Sequence, residues 1–401
     1  PCLPQREMGK GGQQDIRRRG REIPAGPEAE DRSKEGARFK RITAEKPKFT
    51  IGDVRRAIPK HCFHRSMLHS FAYLAVDVAM AAMLYMASTY IEHPVVPAWA
   101  RYVLWPAYWW AQGAVCTGIW VISHECGHGA FSDYQIVNDT VGLIFHSLLL
   151  VPYFSWKYSH RRHHSNTGST DKDEVFVPQI RHEEREGRDW QLIAPVRALY
   201  LFMTLTIGWP LYLATNIAGR PYPRFANHFD PSSPIFNKRE RAWIVVSDVA
   251  LGVVGYGLYQ LAQAFGTDWL VKTYVVPYLL VNMWLVMITL LQHTHPALPH
   301  FDAAEWEWMR GALSTVDRSY GLLDIFHHHI ADTHVAHHLF STMPHYHAQE
   351  ATEAIRPILG DYYLFDERPI WKALWQDWSD CSYITPDKGG SKGVLWFRRG
   401  W

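Results

Sequence analysis

The sequence predicts an all-α integral membrane protein with about four transmembrane helices, further helices at the membrane interface and a cytosolic, histidine-rich cap. The chain has 401 residues and contains six apolar runs of the length that membrane or core helices need. Aromatic residues make up 14% of it, as is common where rings lie at a bilayer boundary. The histidines cluster outside these runs, which cover residues 69–91, 99–122, 139–156, 197–219, 242–266 and 270–292.

The sequence predicts a tail at each end of the chain and one membrane domain between the two tails. Residues 1–45 are charged, rich in Gly and Pro and poor in large apolar side chains, so we expect them to be disordered. We expect one domain over residues 46–396 and a short tail over residues 397–401. The net charge of +2 gives no reason to expect nucleic acid, and five scattered cysteines without a C-x-x-C pair suit a reducing cytosolic environment.

Three histidine clusters follow the apolar runs. The first, "HECGH", matches H-E-x-x-H, a pattern of helical zinc sites in which Glu is the general base. The second, "HRRHH", and the third, "HVAHH", each place three histidines at positions i, i+3 and i+4, which share one face of a helix. The spacing predicts eight metal ligands: His124, His128, His160, His163, His164, His334, His337 and His338.

A zinc protease is the alternative that the first cluster raises. A catalytic zinc ion takes three protein ligands and keeps one position open, which would leave the other spaced histidines unused. Two ions that share eight or nine imidazoles fit the count better, and imidazole suits Zn, Cu, Fe and Ni. A histidine-rich metal carrier is a further alternative, but transporters usually place polar ligands inside spanning helices, and these lie outside the apolar runs.

One metal centre requires all three clusters to lie on the same side of the membrane. The run 139–156 should therefore dip into the membrane and return, or lie at the interface. The run 197–219 contains Gly208-Trp209-Pro210, and because Pro removes a helix hydrogen bond we expect this run not to span. The other four runs would span. Basic residues beside the first and third runs place the clusters on the cytosolic side.

The last apolar run ends in "LLQHTHPALPH", which offers a ninth ligand. His293 or His295 would emerge at the membrane surface on the side of the clusters. An interfacial polar cap is the alternative for each histidine taken singly. We favour His293 as the ligand and keep His295 as its substitute.

Longer phrases around these histidines are similar to one enzyme family. They include "HECGHGAFSDYQ", "SWKYSHRRHHSNTGS", "GWPLYLATNIAGRPY", "LLQHTHPALPHFD" and "DTHVAHHLFSTMPHYHAQEA". Over about residues 45–396 the chain resembles the membrane fatty acid desaturases, and among them the endoplasmic-reticulum delta-12 (oleate, omega-6) acyl-lipid desaturases of plants and algae. The omega-3 branch tends to open its first cluster with H-D-C-G-H, whereas this chain has Glu125.

The resemblance implies a diiron centre held by the eight clustered histidines. It implies O2-dependent removal of two hydrogens from a phosphatidylcholine-bound oleoyl chain, which gives linoleate. Electrons would come from NADH through cytochrome b5 reductase and cytochrome b5, as separate proteins, because the chain has no H-P-G-G haem motif. It also implies a multi-pass protein of the endoplasmic-reticulum membrane, with a plastid membrane as the alternative, and it leaves a homo-oligomer open.

Other products of the same scaffold remain alternatives. A lipid hydroxylase, epoxygenase, acetylenase or conjugase, or an omega-3 desaturase, would carry the same histidines, although "DTHVAHH" resembles the plain desaturase form. One departure from the family is Gly129, where many plant members carry another His; it is not at ligand spacing.

Carboxylates near the clusters are candidates for orienting the imidazoles. Glu125 and Asp173 are the two that we assign to the catalytic site, and Asp171 is a third candidate. The alternative for both aspartates is a solvated loop charge. Trp156 and Tyr158 could line an acyl tunnel, but we favour interfacial anchors for both.

Overall fold

Long helices carry the apolar runs of the chain. The computed structural model describes residues 39–175, 177–181, 194–387 and 389–399, so most of the predicted N-terminal tail lies outside the described residues. The helices before the cap are α1 (Ile51–Ala57), α2 (Met67–Ser88), α3 (Ala98–His128), α4 (Gln135–Leu148), α5 (Tyr153–Asn166), α6 (Ala194–Thr215), α7 (Arg241–Phe265), α8 (Thr267–Leu270) and α9 (Val276–His293). A π-helical turn at Val271–Val275 joins the last two.

Local capping sets where several of these helices begin and end. The Ser66 hydroxyl accepts a hydrogen bond from the His69 backbone N–H at 3.3 Å and so caps the start of α2. Gly129 ends α3 with φ 73°, in the left-handed region. A Cβ is strained there, so glycine suits the turn that follows the first cluster.

Among the described residues, four helices are long and apolar enough to cross a membrane: α2, α6, α7 and the continuous stretch Thr267–His293. The predicted number of four is confirmed by this measure. The run 139–156 is divided between α4 and α5, which meet at an angle of 108° and form either a broken span or a re-entrant loop. A segment that enters and leaves the membrane on the same side has to bend, and the angle between α4 and α5 provides this bend.

The membership of the four differs from the prediction. The expected interruption at Gly208-Trp209-Pro210 is absent, because α6 continues through Pro210 and is long and apolar enough to span a membrane. Trp209 is buried in the main core, and this packing supports the helix where Pro removes a backbone bond. Conversely, α3 is not apolar enough to count as a spanning helix, because its many Trp and Tyr residues and its polar last turns lower its hydropathy.

Both ends of α6 contact segments outside the apolar runs, near Trp375 at its start and near His228 at its end. At its start, the Arg197 guanidinium stacks on Trp375 at 3.9 Å. Near its end, the Leu213 carbonyl accepts from the His228 N–H at 2.8 Å, and His228 Nε2 lies 3.2 Å from the Ser159 hydroxyl of α5. These contacts agree with a helix that does not cross, so which apolar helices cross the membrane stays a prediction.

The region after α9 forms the cap. It contains β1 (Pro299–Phe301), α10 (Trp308–Ala312), α11 (Leu323–Phe326), α12 (His334–Leu339), α13 (Ala348–Leu359), α14 (Ile370–Asp380), β2 (Tyr383–Pro386) and β3 (Val394–Arg398). The strands form a small antiparallel sheet in the order β1-β3-β2, with Pro299 opposite Trp396 and Tyr383 opposite Arg398. The sheet is an addition to the predicted helices.

Residues assigned to the tails contribute to this cap. Ile42 is buried against Leu298 and Val316, and the Ala44 carbonyl accepts a hydrogen bond from Arg310. Phe397 is buried within β3. Residues on the far side of the predicted boundaries at 45 and 396 therefore pack into the cap, and the boundaries themselves stay a prediction.

Candidate metal centre

The predicted ligand histidines come from four helices and meet at one place. The C-terminal turn of α3 carries His124 and His128, and α9 ends on His293. The second cluster lies on α5 and the third on the six residues of α12. Because each helix presents its i, i+3 and i+4 positions on one face, four short segments suffice to direct nine imidazoles inward.

Five of these histidines form the first group. One side-chain nitrogen from each lies within 4.8 Å of the nitrogens of the others. His124 Nε2 is 2.9 Å from His160 Nε2 and 3.3 Å from His128 Nε2. His164 Nε2 is 3.1 Å from His160 Nε2. The fifth member is His337, whose ring centroid lies 4.7–4.9 Å from those of three other members.

The other four histidines form the second group. His293 Nε2 lies 3.3 Å from His163 Nε2 and 3.0 Å from His334 Nε2. His338 Nε2 completes the group at 3.1 Å from His334 Nε2. The two groups touch, since the rings of His164 and His338 stack with centroids 4.0 Å apart. The structure thus brings together all nine predicted ligands in two adjacent groups.

The geometry of both groups suits metal ions. Nitrogens bound at about 2.0–2.1 Å to one ion, with angles between right and tetrahedral, lie about 2.8–3.4 Å apart, which matches the spacings found here. His124 Nδ1, His164 Nδ1 and His337 Nε2 are buried without a hydrogen-bond partner among the described residues. A buried polar atom without a partner is costly, and an ion coordinated by His337 Nε2 would remove that cost.

The three imidazoles that α12 contributes are neutral, as ligands must be. Burial lowers the pKa of His334 to about 3 and lowers the pKa values of His337 and His338 well below the ordinary range. Neighbouring imidazoles lower the pKa values of His337 and His338 further. Each ring therefore keeps a lone pair available without losing a proton.

Asp173 contacts the second group directly. Its Oδ1 accepts a hydrogen bond from His163 Nδ1 at 2.7 Å, so the opposite nitrogen of that ring faces the group. The carboxylate is held in turn by the backbone N–H groups of Gly168 and Val175, each at 3.2 Å. By contrast, Asp171 is exposed, and its contacts lie within its own turn. Of the two loop aspartates, only Asp173 touches a clustered histidine.

Glu125 lies behind the first group. Its Oε1 is 3.2 Å from His124 Nδ1 and 3.8 Å from His337 Nδ1. Neither contact has the alignment of a hydrogen bond, and both carboxyl oxygens are buried without such a partner among the described residues. A small void of about 10 Å³ separates Glu125 from His328 and His345. Glu125 is therefore placed between two candidate ligands, with space on its far side for about one water molecule.

Aromatic side chains support the histidine rings. Trp156 stacks on His160 with centroids 4.6 Å apart and is almost fully buried, so its predicted role as an interfacial anchor is wrong. Trp120 stacks on His124 in the same way. A Cβ at Gly127 would lie 2.6 Å from the Trp156 ring, so only glycine leaves room for this indole. An aromatic residue beside a polar cluster suits an interface and a core equally, and the sequence does not distinguish them.

Two histidines next to predicted sites fall outside the groups. His295, the substitute ninth ligand, instead faces Asp366, with 3.8 Å between its Nε2 and the carboxylate. His146 is fully buried between Trp120 and Trp156 and lies 3.2 Å from the Trp120 carbonyl. No short motif surrounds His146, so sequence spacing gave no sign of it.

Asp317 is a supporting residue that the sequence did not indicate. Its Oδ1 accepts from the Val335 N–H at 2.8 Å, and its Oδ2 accepts from the Tyr363 hydroxyl at 2.7 Å. The first of these bonds fixes the start of α12, which carries three of the nine histidines. Asp317 lies 18 residues before Val335, so only the folded chain shows the connection.

Comparison with known proteins agrees with this centre. The family model described as fatty acid desaturase matches residues 97–368, which include all nine histidines. A delta(12)-acyl-lipid-desaturase of Punica granatum is 55% identical over 394 residues, 98% of this chain and 100% of that protein. An endoplasmic-reticulum omega-6 fatty acid desaturase of Glycine max is 54% identical over 391 residues, 97% of this chain and 99% of that protein. An oleoyl-12-hydroxylase of Ricinus communis is 53% identical over 365 residues, 90% of this chain and 93% of that protein. The histidines of this chain lie together at the ends of apolar helices. The chain is an oxidoreductase, and it belongs to the fatty acid desaturase family.

Proposed function

We propose that this protein desaturates lipid-bound oleate to linoleate at a centre of two iron ions. The observation that carries the proposal is the meeting of nine imidazoles, seven of them buried, in two adjacent groups at the end of apolar helices. The delta-12 position follows from the named desaturases of Punica granatum and Glycine max, which align over nearly the whole chain.

The two groups would hold one ion each. We assign His124, His128, His160, His164 and His337 to the first ion, and His163, His293, His334 and His338 to the second. Asp173 and Glu125 are positioning residues in this proposal. Asp173 fixes the ring of His163. Glu125 lies within reach of the Nδ1 atoms of His124 and His337, which are ligands of the first ion.

The reaction explains why the site is buried. A methylene C–H bond has no acidity that a general base could use, so bound iron and O2 supply the oxidant. The protein has to position the acyl chain beside that oxidant and keep bulk water away. Packing of Trp120 and Trp156 against His124 and His160 encloses the first group on the side of the membrane helices.

A basic surface next to α5 suits an acidic electron donor. Arg161 is exposed one residue after His160 and lies 3.7 Å from Glu240. Beside Glu240 along the chain, the exposed cations are Lys238, Arg239 and Arg241. Electrostatic complementarity of this kind speeds association with a partner of opposite charge. We propose cytochrome b5, reduced by its NADH-dependent reductase, as the donor at this surface.

The same surface bears on localisation. Positive charges next to apolar helices favour the cytosolic side, so we place the metal centre there in an endoplasmic-reticulum membrane. The proposed substrate is an oleoyl chain on phosphatidylcholine, a lipid of the surrounding bilayer. The plastid membrane is the alternative location, and a homo-oligomer remains open.

A hydroxylase is the second candidate function. The oleoyl-12-hydroxylase of Ricinus communis is 53% identical to this chain, so the scaffold alone does not separate the two reactions. Both would use the same histidines and the same acyl chain.

Expression in a yeast that makes oleate but no linoleate tests the proposal. We expect cells with the full chain to accumulate 18:2, detected as fatty acid methyl esters, and cells with His337→Ala to make none while retaining the protein in their membranes. Hydroxylated oleate in place of 18:2 would assign the second candidate. Unchanged product from several variants of the nine histidines would overturn the metal assignment.

A further inference from the structure

A separate group of potential metal ligands lies where the turn before α2 meets the start of α13. His61 and Cys62 belong to a 3-10 turn, Lys60–Phe63, between α1 and α2. His347 and Glu350 lie at the start of α13. One donor atom from each of the four side chains lies within 4.8 Å of the donor atoms of the other three.

The four donors are those that zinc takes. Two imidazole nitrogens, one thiolate sulfur and one carboxylate oxygen fill a tetrahedral zinc shell, in which sulfur and nitrogen lie about 3.6 Å apart. The Cys62 sulfur is 3.7 Å from His61 Nε2, which also lies 2.8 Å from Glu350 Oε2. The rings of His61 and His347 meet edge to face with centroids 5.3 Å apart.

The charges of this group also favour a cation. Cys62 is buried, and a carboxylate oxygen of Glu350 lies within 4.8 Å of its sulfur. A divalent ion between these groups would take the place of the thiol proton and balance the carboxylate.

We propose that His61, Cys62, His347 and Glu350 form a structural zinc site, distinct from the two histidine groups of the active centre. It would join the segment before the first apolar helix to the cap. Val54 and Ile58 already pack against Ala351 and Ile355 in one core cluster, and the same cluster contains Val335 of α12. Zinc at this point would therefore hold in place the helix that carries the third histidine cluster.

Cobalt binding tests the site because, of the candidate metal-binding groups among the described residues, this one alone contains a cysteine. The full chain, purified in detergent and treated with a chelator, is titrated with Co²⁺ alone. We expect a thiolate-to-cobalt charge-transfer band in the near ultraviolet that disappears when Zn²⁺ is added. The band should be lost in Cys62→Ser and strongly weakened in His347→Gln and Glu350→Gln.

Two neighbours provide matched controls. His64→Gln and Glu353→Gln change exposed residues three positions from a proposed ligand and should leave the band intact. Untreated protein should contain zinc that Cys62→Ser lacks, with unchanged iron content.

Either of two results would overturn the proposal. Absence of the band from the unmodified chain would show that the four groups are only hydrogen-bonded to one another. A band that persists in His347→Gln and Glu350→Gln would show that the thiol binds cobalt without them. If Cys62→Ser does not fold, protection of Cys62 from alkylation by Zn²⁺ replaces it as the measurement, and equal alkylation with and without Zn²⁺ would count against the site.

Discussion

At the scale of single residues, the contact between Asp173 and His163 connects the metal centre to its surroundings. The ring of His163 has one nitrogen on the carboxylate and the other on His293, so its orientation depends on both contacts. Partners of this kind fix the tautomer and direction of a ligand and are worth about 10–100-fold in metal affinity or activity. The sequence predicted Asp173 from its place in the loop after the second cluster.

Asp173→Asn should lower desaturase activity about 10-fold or more, because the amide accepts a weaker hydrogen bond from His163 Nδ1. The metal content of purified protein and the yield of 18:2 in yeast measure the effect. Asp171→Asn is the control, since Asp171 is exposed and touches no clustered histidine among the described residues. Equal losses in the two variants would mean that the loop charge, and not the contact, is what matters.

His293 and His295 show how far residue-level prediction extends. Both follow the last apolar run, and spacing alone does not choose between them. The helix α9 ends on His293, whose ring therefore follows the helical face, whereas Thr294 is extended with φ −125° and turns His295 towards Asp366. One change of backbone conformation separates a member of the metal centre from a residue of the cap.

At the scale of elements, the short helix α12 depends on its neighbours. Six residues are too few to form a stable helix alone, so contacts from other parts of the cap must fix it. Asp317 binds the Val335 N–H at the start of this helix, and Val335 and Ala336 pack into the core cluster shared with α13. The third cluster is thus placed by tertiary contacts that its own sequence does not contain.

Asp317→Ala should displace α12 and reduce both metal content and activity. Loss of the acceptor leaves a buried N–H without a partner, at a cost of about 1–3 kcal/mol. Thermal unfolding in detergent and metal analysis of the same sample measure the two effects. Tyr363→Phe is the milder comparison, because it removes the other hydrogen bond of Asp317 and leaves the one to Val335. An Asp317→Ala protein with full metal content would show that packing alone holds the helix.

The interruption predicted within α6 is absent for a reason that also belongs to this scale, and whether this helix crosses the membrane stays a prediction. A Gly-Trp-Pro sequence weakens an isolated helix, but Trp209 and Leu213 are buried against the apolar face of α9 and compensate for it. Helix spacing was a reliable guide for the histidine clusters, since their geometry is local. It was a poor guide to where an apolar helix is interrupted, because that depends on packing between distant segments.

At the scale of the whole molecule, the cap encloses an unusual number of neutral histidines. Burial lowers the pKa of His300 to about 4 and those of His327 and His334 to about 3. In the unfolded chain such residues titrate near pH 6.5, so below that value unfolding takes up protons that the folded protein does not bind. The contribution of these neutral histidines to the free energy of unfolding is complete above about pH 6.5, and it is lost as the pH falls towards the pKa values of the folded protein.

His327 isolates this effect from metal binding. Both of its ring nitrogens are buried without a hydrogen-bond partner among the described residues, and the ring packs against Trp284 outside the two ligand groups. Each such histidine contributes a slope of up to about 1.4 kcal/mol per pH unit below pH 6.5. His327→Phe fills the same space without a titrating group, so it should unfold at a temperature that varies less between about pH 7.5 and about pH 5.5. Thermal unfolding of both proteins in detergent across this range provides the measurement. A parallel pH dependence in the two proteins would show that His327 is already protonated in the folded cap.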